Sequence, residues 1–184
     1  MLVSKAARRY ATALLEISKE QKSVEATLSD VQFIESTIDD SRDLENFLKS
    51  PIIKPSVKKE ALSALFKEHI SVLTMQFVNL VASKERAALL HQISKAFITK
   101  YNKYAGIIEV EVRSAMKLSD KQVKELKTVL EKTTSKKVIL SATEHEDLKG
   151  GLLVKIDDTV IDGTIKHKIE QLEARLLDNT IELN

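Results

Sequence analysis

The chain has 184 residues, 43% of them hydrophobic and 30% charged, with only four Gly and two Pro, a mixture that suits a helix-rich folded protein and excludes a disordered one. With no Cys there is no disulfide framework, thiol nucleophile or thiolate metal site. Charge is nearly balanced, 29 basic against 27 acidic side chains, and there is no Trp and three Tyr, which argues against a polyanion-binding domain that stacks on exposed bases. The longest apolar runs are shorter than the roughly 18 residues that span a bilayer, and MLVSKAARRYATALL lacks a continuous signal-peptide core. No direct membrane insertion is therefore expected.

Residues 1–105 carry 16 basic and 12 acidic side chains, and residues 106–184 carry 13 and 15. Helical periodicity dominates the first stretch. Ser4 is placed to cap a first helix with Ala7, Tyr10 or Ala11, Leu14 and Ile17 on one face, and Val24, Leu28, Val31, Ile34 and Ile38 stripe a second. A third helix with Leu44, Phe47 and Leu48 stops before Pro51. Pro55-Ser56 opens a fourth carrying Val57, Ala61, Ala64 and Leu65. VLTMQFVNLV, from Val72 to Val81, is apolar on more than one face, as in a helix enclosed by neighbours. Leu89, Leu90, Ile93, Phe97, Tyr101 and Tyr104 then continue at helical spacing as a sixth.

The period changes at Gly106. IIEVEVR alternates Ile108, Val110 and Val112 with Glu109, Glu111 and Arg113, predicting a strand with one buried face. Ser119-Asp120-Lys121-Gln122 is a capping-box sequence opening a helix with Val123, Leu126 and Leu130 inward, and VIL at 138–140 predicts another strand. A loose polar segment at 141–149 leads to a hairpin of LLVKI, an Asp157-Asp158 turn and TVI, and Ile165, Ile169, Leu172 and Leu176 stripe a last helix. The expected fold class is α+β: a six-helix bundle over 1–105, then a small α/β domain with a β-hairpin over 106–184.

Three of the four glycines, Gly150, Gly151 and Gly163, fall in this last part. They have neither the G-x-x-x-x-G-K-[ST] nor the G-x-G-x-x-G spacing of a phosphate loop, and Gly150-Gly151 precedes a strand instead of joining a strand to a helix. They read better as turns, with the Asp162 carboxylate or the Thr164 hydroxyl capping the last helix and Gly163 permitting the tight turn. Glu144-His145-Glu146-Asp147 reads as a solvated acidic loop, because adjacent residues of an extended loop diverge and no second His lies at i+4. His69, His91 and His167 have no evident partner. No catalytic residue, metal site or cofactor is expected. On the first helix, Lys5, Arg8 and Arg9 flank the small residues Ala6, Ala7, Ala11 and Ala13. One reading is a solvated face over a packing stripe, and the other is a groove for a foreign helix whose register the charges set.

Five segments in order resemble the delta subunit of F-type ATP synthase, equivalent to the mitochondrial oligomycin-sensitivity-conferring protein: AARRYATALLEIS, KSPIIKPSVKKEALSALF, NLVASKERAALL with Arg86, EVEVRSAMKLSDKQ, and LKGGLLVKIDDTVIDGTIKHKIEQL. The resemblance covers essentially the whole chain. The departures are His145 in place of a common Asp, Asp157 in place of a common Gly, and Thr164 in place of Ser. The resemblance implies a non-catalytic stator subunit, one copy per synthase, peripheral on the cytoplasmic side of a bacterial inner membrane or its organellar equivalent. It implies that the first domain holds the N-terminus of an alpha subunit of the catalytic head and the second binds the b subunit of the peripheral stalk. Tyr10, Ala13 and Leu14, with Asn79 and Ala82 from the fifth helix, are the expected contacts to the alpha subunit. Two alternatives stand beside it: a free-standing helical adaptor or nucleic-acid chaperone using Lys5, Arg8, Arg9, Lys58 and Lys59, and an enzyme using the Gly150 to Gly163 region.

Overall fold

The structure is a computed structural model describing residues 3–156 and 159–181, with side-chain surroundings through residue 173 outside the 157–158 gap. The Asp157-Asp158 turn and the side chain of Leu176 lie outside the described residues. The chain divides into two compact units, Met1–Tyr104 and Ala105–Asn184.

The first unit contains α1 (Lys5–Glu20), α2 (Val24–Asp40), α3 (Arg42–Lys49), α4 (Pro55–Phe66), α5 (Val72–Ser83) and α6 (Leu90–Tyr104), with a 3-10 turn at Ala87–Leu89 before α6. Their starts are written in the sequence. The Ser4, Ser41 and Ser71 hydroxyls accept backbone N–H groups of the first turns of α1, α3 and α5, and Pro55 occupies the first turn of α4, where a missing N–H costs nothing. Ala7, Ala11, Leu14, Leu15 and Ser18 form the buried stripe of α1, so Ile17, expected inside, is exposed. Ile34, Ile38, Leu48, Leu62, Phe66, Val78, Ala82 and Leu90 make one continuous core. Phe66 is fully buried and meets Phe33 edge to face at 6.0 Å.

Two helix faces differ from the sequence reading. α4 buries Leu62 and Phe66, leaving Val57 and Leu65 exposed; turning an aromatic and a leucine inward removes more apolar surface than the Ala-rich set one residue over. α5 is not enclosed on all sides, since Val72 and Leu80 are exposed and only Thr74, Phe77, Val78, Val81 and Ala82 are buried. A polar contact also anchors the start of α5. Asp30, buried on α2, accepts the Ser71 N–H at 3.0 Å and the Thr74 hydroxyl at 2.7 Å, a carboxylate at the positive end of a helix.

In the second unit, Gly106, at φ +65, follows the end of α6, a backbone conformation that glycine adopts at low cost. Then come β1 (Ile107–Ser114), α7 (Asp120–Thr134), β2 (Lys137–Glu144), β3 (Leu152–Ile156), β4 (Thr159–Asp162) and α8 (Ile165–Ile181). The sheet order is β2-β1-β3-β4, with β1 and β2 parallel and the other pairs antiparallel. Ile108, Val110, Val112, Val138 and Val154 bury one face with Leu130 of α7, and Ser119 and Gln122 complete the capping box of that helix. β2 extends to Glu144, opposite Ser114, through residues read from sequence as loose. An edge strand needs only backbone pairing on one side, so Ser141, Ala142 and Thr143 suffice.

This moves the exposed connection to the segment between β2 and β3, where Lys149 is exposed at φ +58. Limited trypsin digestion of the full chain is expected to cut at Lys149 before Lys137, which β2 protects. Cleavage within β2 ahead of Lys149 would contradict the extended strand.

Candidate partner-binding surfaces

The outer face of α1 carries an open depression. Ala6, Arg9, Tyr10, Thr12, Ala13 and Glu16, with Arg86 beyond α5, line a depression of about 610 Å3. Positions 9, 12, 13 and 16 recur at helical spacing, opposite the buried stripe of Ala7, Ala11, Leu14 and Ser18. Tyr10 is half-buried and meets Phe77 of α5 edge to face at 6.3 Å, so its ring forms a fixed wall. The Ser4 N–H donates to Gln92 Oε1 at 3.2 Å, tying the start of α1 to α6.

Of the five expected contact residues, Tyr10 and Ala13 line this groove. Leu14 and Ala82 are each 1% exposed and pack inside the helical unit, offering no surface to a guest. Asn79 faces α4, where its Oδ1 accepts the Ser63 hydroxyl at 3.3 Å. Thr12 and Glu16 were missed, although the i, i+3, i+4, i+7 pattern that contains them was available in the sequence.

On the second unit, the glycines form a joint between hairpin and helix. Gly151 has φ +82, and a Cβ there would lie 2.4 Å from the Gly163 carbonyl oxygen and 2.9 Å from Thr164 Cα. That approach leaves no room for a phosphate. The Gly163 N–H donates to Leu152 O at 2.9 Å and the Ile165 N–H to Gly150 O at 3.0 Å. Positive φ belongs to Gly150 and Gly151 and not to Gly163, so Gly163 matters through its close passage to Leu152, where a Cβ would meet the carbonyl oxygen at 3.2 Å. Of the two expected caps, the Thr164 hydroxyl caps α8 and the Asp162 carboxylate holds Thr164 in place. Asp162 Oδ1 accepts the Thr164 N–H at 2.9 Å and its hydroxyl at 2.7 Å, while Thr164 Oγ1 accepts the His167 N–H at 3.2 Å. These bonds from Thr164, the side-chain one foremost, hold the Asp162 carboxyl below the usual range.

Beyond this joint, Ile165, Ile169 and Leu172 lie on α8 at 46%, 43% and 58% exposure. They leave an apolar stripe of α8 open. The histidines are not partnerless as expected. His69 packs tilted against Phe33 with ring centroids 5.3 Å apart, His167 contacts Gln171 at 2.9 Å, and His91 Nε2 lies 2.7 Å from Asp39 Oδ1.

The family model "ATP synthase delta (OSCP) subunit" matches residues 6–176. The chain belongs to this family. Among members of the delta family, "ATP synthase subunit delta" of Chlorobaculum tepidum is 41% identical over 172 residues, covering 94% of this chain and 95% of that protein. The delta protein of Chlorobium chlorochromatii is 37% identical over 177 residues, covering 96% and 99%. The delta-family fold is also found in a chain of the cryo-EM structure of the Toxoplasma gondii mitochondrial ATP synthase hexamer, with a TM-score of 0.73 at 22% identity, covering 95% of this chain and 98% of that one.

Proposed function

We infer that the chain is a non-catalytic stator subunit of an F-type ATP synthase, joining the catalytic head to the peripheral stalk and resisting rotor torque during proton-driven ATP synthesis. The observation that carries this reading is membership of the delta family over residues 6–176; the α1 depression on one unit and the exposed α8 stripe on the other fit it. The α1 groove receives the N-terminal helix of an alpha subunit, with Tyr10 and Ala13 against the apolar face of the guest and Arg9, Glu16 and Arg86 fixing its register. The α8 stripe receives the end of the b subunit. Such a protein needs two tight interfaces and no reactive group, because its work is mechanical.

No helix among the described residues is long and apolar enough to cross a membrane. In this reading attachment runs through these partners, on the cytoplasmic side of a bacterial inner membrane or its organellar equivalent, with one copy per complex. Two of the cations named for the nucleic-acid alternative are held by the protein's own backbone. Lys58 Nζ donates to the carbonyls of Leu48 and Ser50, each at 2.7 Å, and Arg8 donates to Val3 O, so both are engaged at helix ends. Purification of the tagged chain from native membranes is expected to bring down alpha and b together. Recovery of nucleic acid in their place, lost as salt rises, would favour the chaperone.

A further inference from the structure

Three side chains distant in sequence meet on one flank of the helical unit. Glu35 and Asp39 stand one turn apart on α2, and His91 enters from the first turn of α6; one ligand atom of each lies within 4.8 Å of the other two. The His91 side chain is 18% exposed, and its Nε2 atom is buried. Nε2 lies 2.7 Å from Asp39 Oδ1, yet it makes no hydrogen bond of good geometry. The contact holds the two side by side, close enough for one cation to take a lone pair from each. Glu45 of α3 is near enough for the charges of His91 and Asp39 to act on its carboxyl, although its Lys49 contact is the larger influence. Lys95 Nζ lies 3.4 Å from Asp39 Oδ2, and this exposed side chain is free to swing away when a cation takes its place.

We propose that Glu35, Asp39 and His91 bind a divalent transition-metal ion, with Zn2+ the best match and a fourth position left to water. One imidazole and two carboxylates suit zinc, whereas Ca2+ and Mg2+ favour all-oxygen shells. Tetrahedral ligands at zinc distances stand roughly 3.3 Å apart, so the trio closes on the ion by side-chain rotation, and Asp39 is exposed enough to rotate. The bound ion staples the end of α2 to the start of α6.

The test uses the full chain, stripped with a chelator and then titrated with Zn2+ or Co2+. One ion per chain is expected, with the strong visible absorption of tetrahedral cobalt and a zinc-dependent rise in Tm. Asp39→Asn and His91→Gln are each expected to remove both signals, and His145→Ala to leave both. Because Asp39 is exposed, Asp39→Asn decides the matter even if His91→Gln does not fold, with circular dichroism checking the helices. Absence of saturable binding in the unaltered chain, binding that survives Asp39→Asn, or binding that follows His145 would each overturn the site.

Discussion

Ala13→Glu is expected to remove binding of an alpha-subunit N-terminal peptide while leaving the fold intact. Ala13 is exposed on α1 between Arg9 and Glu16 in the groove, and Glu is a good helix former, so the free protein accommodates the change. In the complex, the introduced carboxylate lies under the apolar face of the guest. Enclosing it there costs roughly 2 to 5 kcal/mol, which weakens binding by a factor of about 30 or more. Isothermal titration should lose its signal with circular dichroism unchanged, and coupled ATP synthesis should fall while hydrolysis by the isolated head persists. Undiminished affinity in a folded Ala13→Glu protein would move the interface off α1. Failure of the unaltered chain to bind the peptide would remove the groove model.

The second large effect is at Gly151. Gly151→Val forces a β-branched side chain into φ +82 and drives its Cβ into the Gly163 carbonyl, both backbone obstacles that no rotamer relieves. A loss of at least roughly 2 kcal/mol is expected in denaturant unfolding of the second unit, together with weakened b-subunit binding and unchanged peptide binding at the α1 groove. Gly163→Ala is the contrast. With φ outside the left-handed region and a single 3.2 Å contact to Leu152 O, it is expected to be much milder. Equal losses at the two positions would mean that the tight contact is not what the glycines preserve.

Legibility in the sequence followed the range of the interactions concerned. β1 was readable because its alternation is local and one face is buried, and α7 because Ser119 and Gln122 complete each other within one turn. The tail of β2 was not, since Ser141 to Glu144 become a strand only by pairing with β1. Nor was the inner face of α4, where two stripes one residue apart compete and only the partners Phe33 and the core decide between them. The groove was half visible: Tyr10 and Ala13 carry the pattern, but the burial of Leu14 and the turning of Asn79 toward Ser63 depend on α4 and α5. His91 looked partnerless because its neighbours Glu35 and Asp39 lie more than fifty positions earlier in the chain.

The joint between β3 and α8 also sets how force leaves the helix. Two backbone hydrogen bonds, from the Gly163 N–H to Leu152 O and from the Ile165 N–H to Gly150 O, clasp the base of α8 to the beginning of β3, and β3 is hydrogen-bonded to β1 in the middle of the sheet. A tug on α8 is thereby delivered to an interior strand, which neighbours hold on both sides, and not solely to the outermost strand, which could peel away one bond at a time. Strands held on two sides yield only when several bonds break together, so the small unit is built to behave as a stiff coupling instead of a spring.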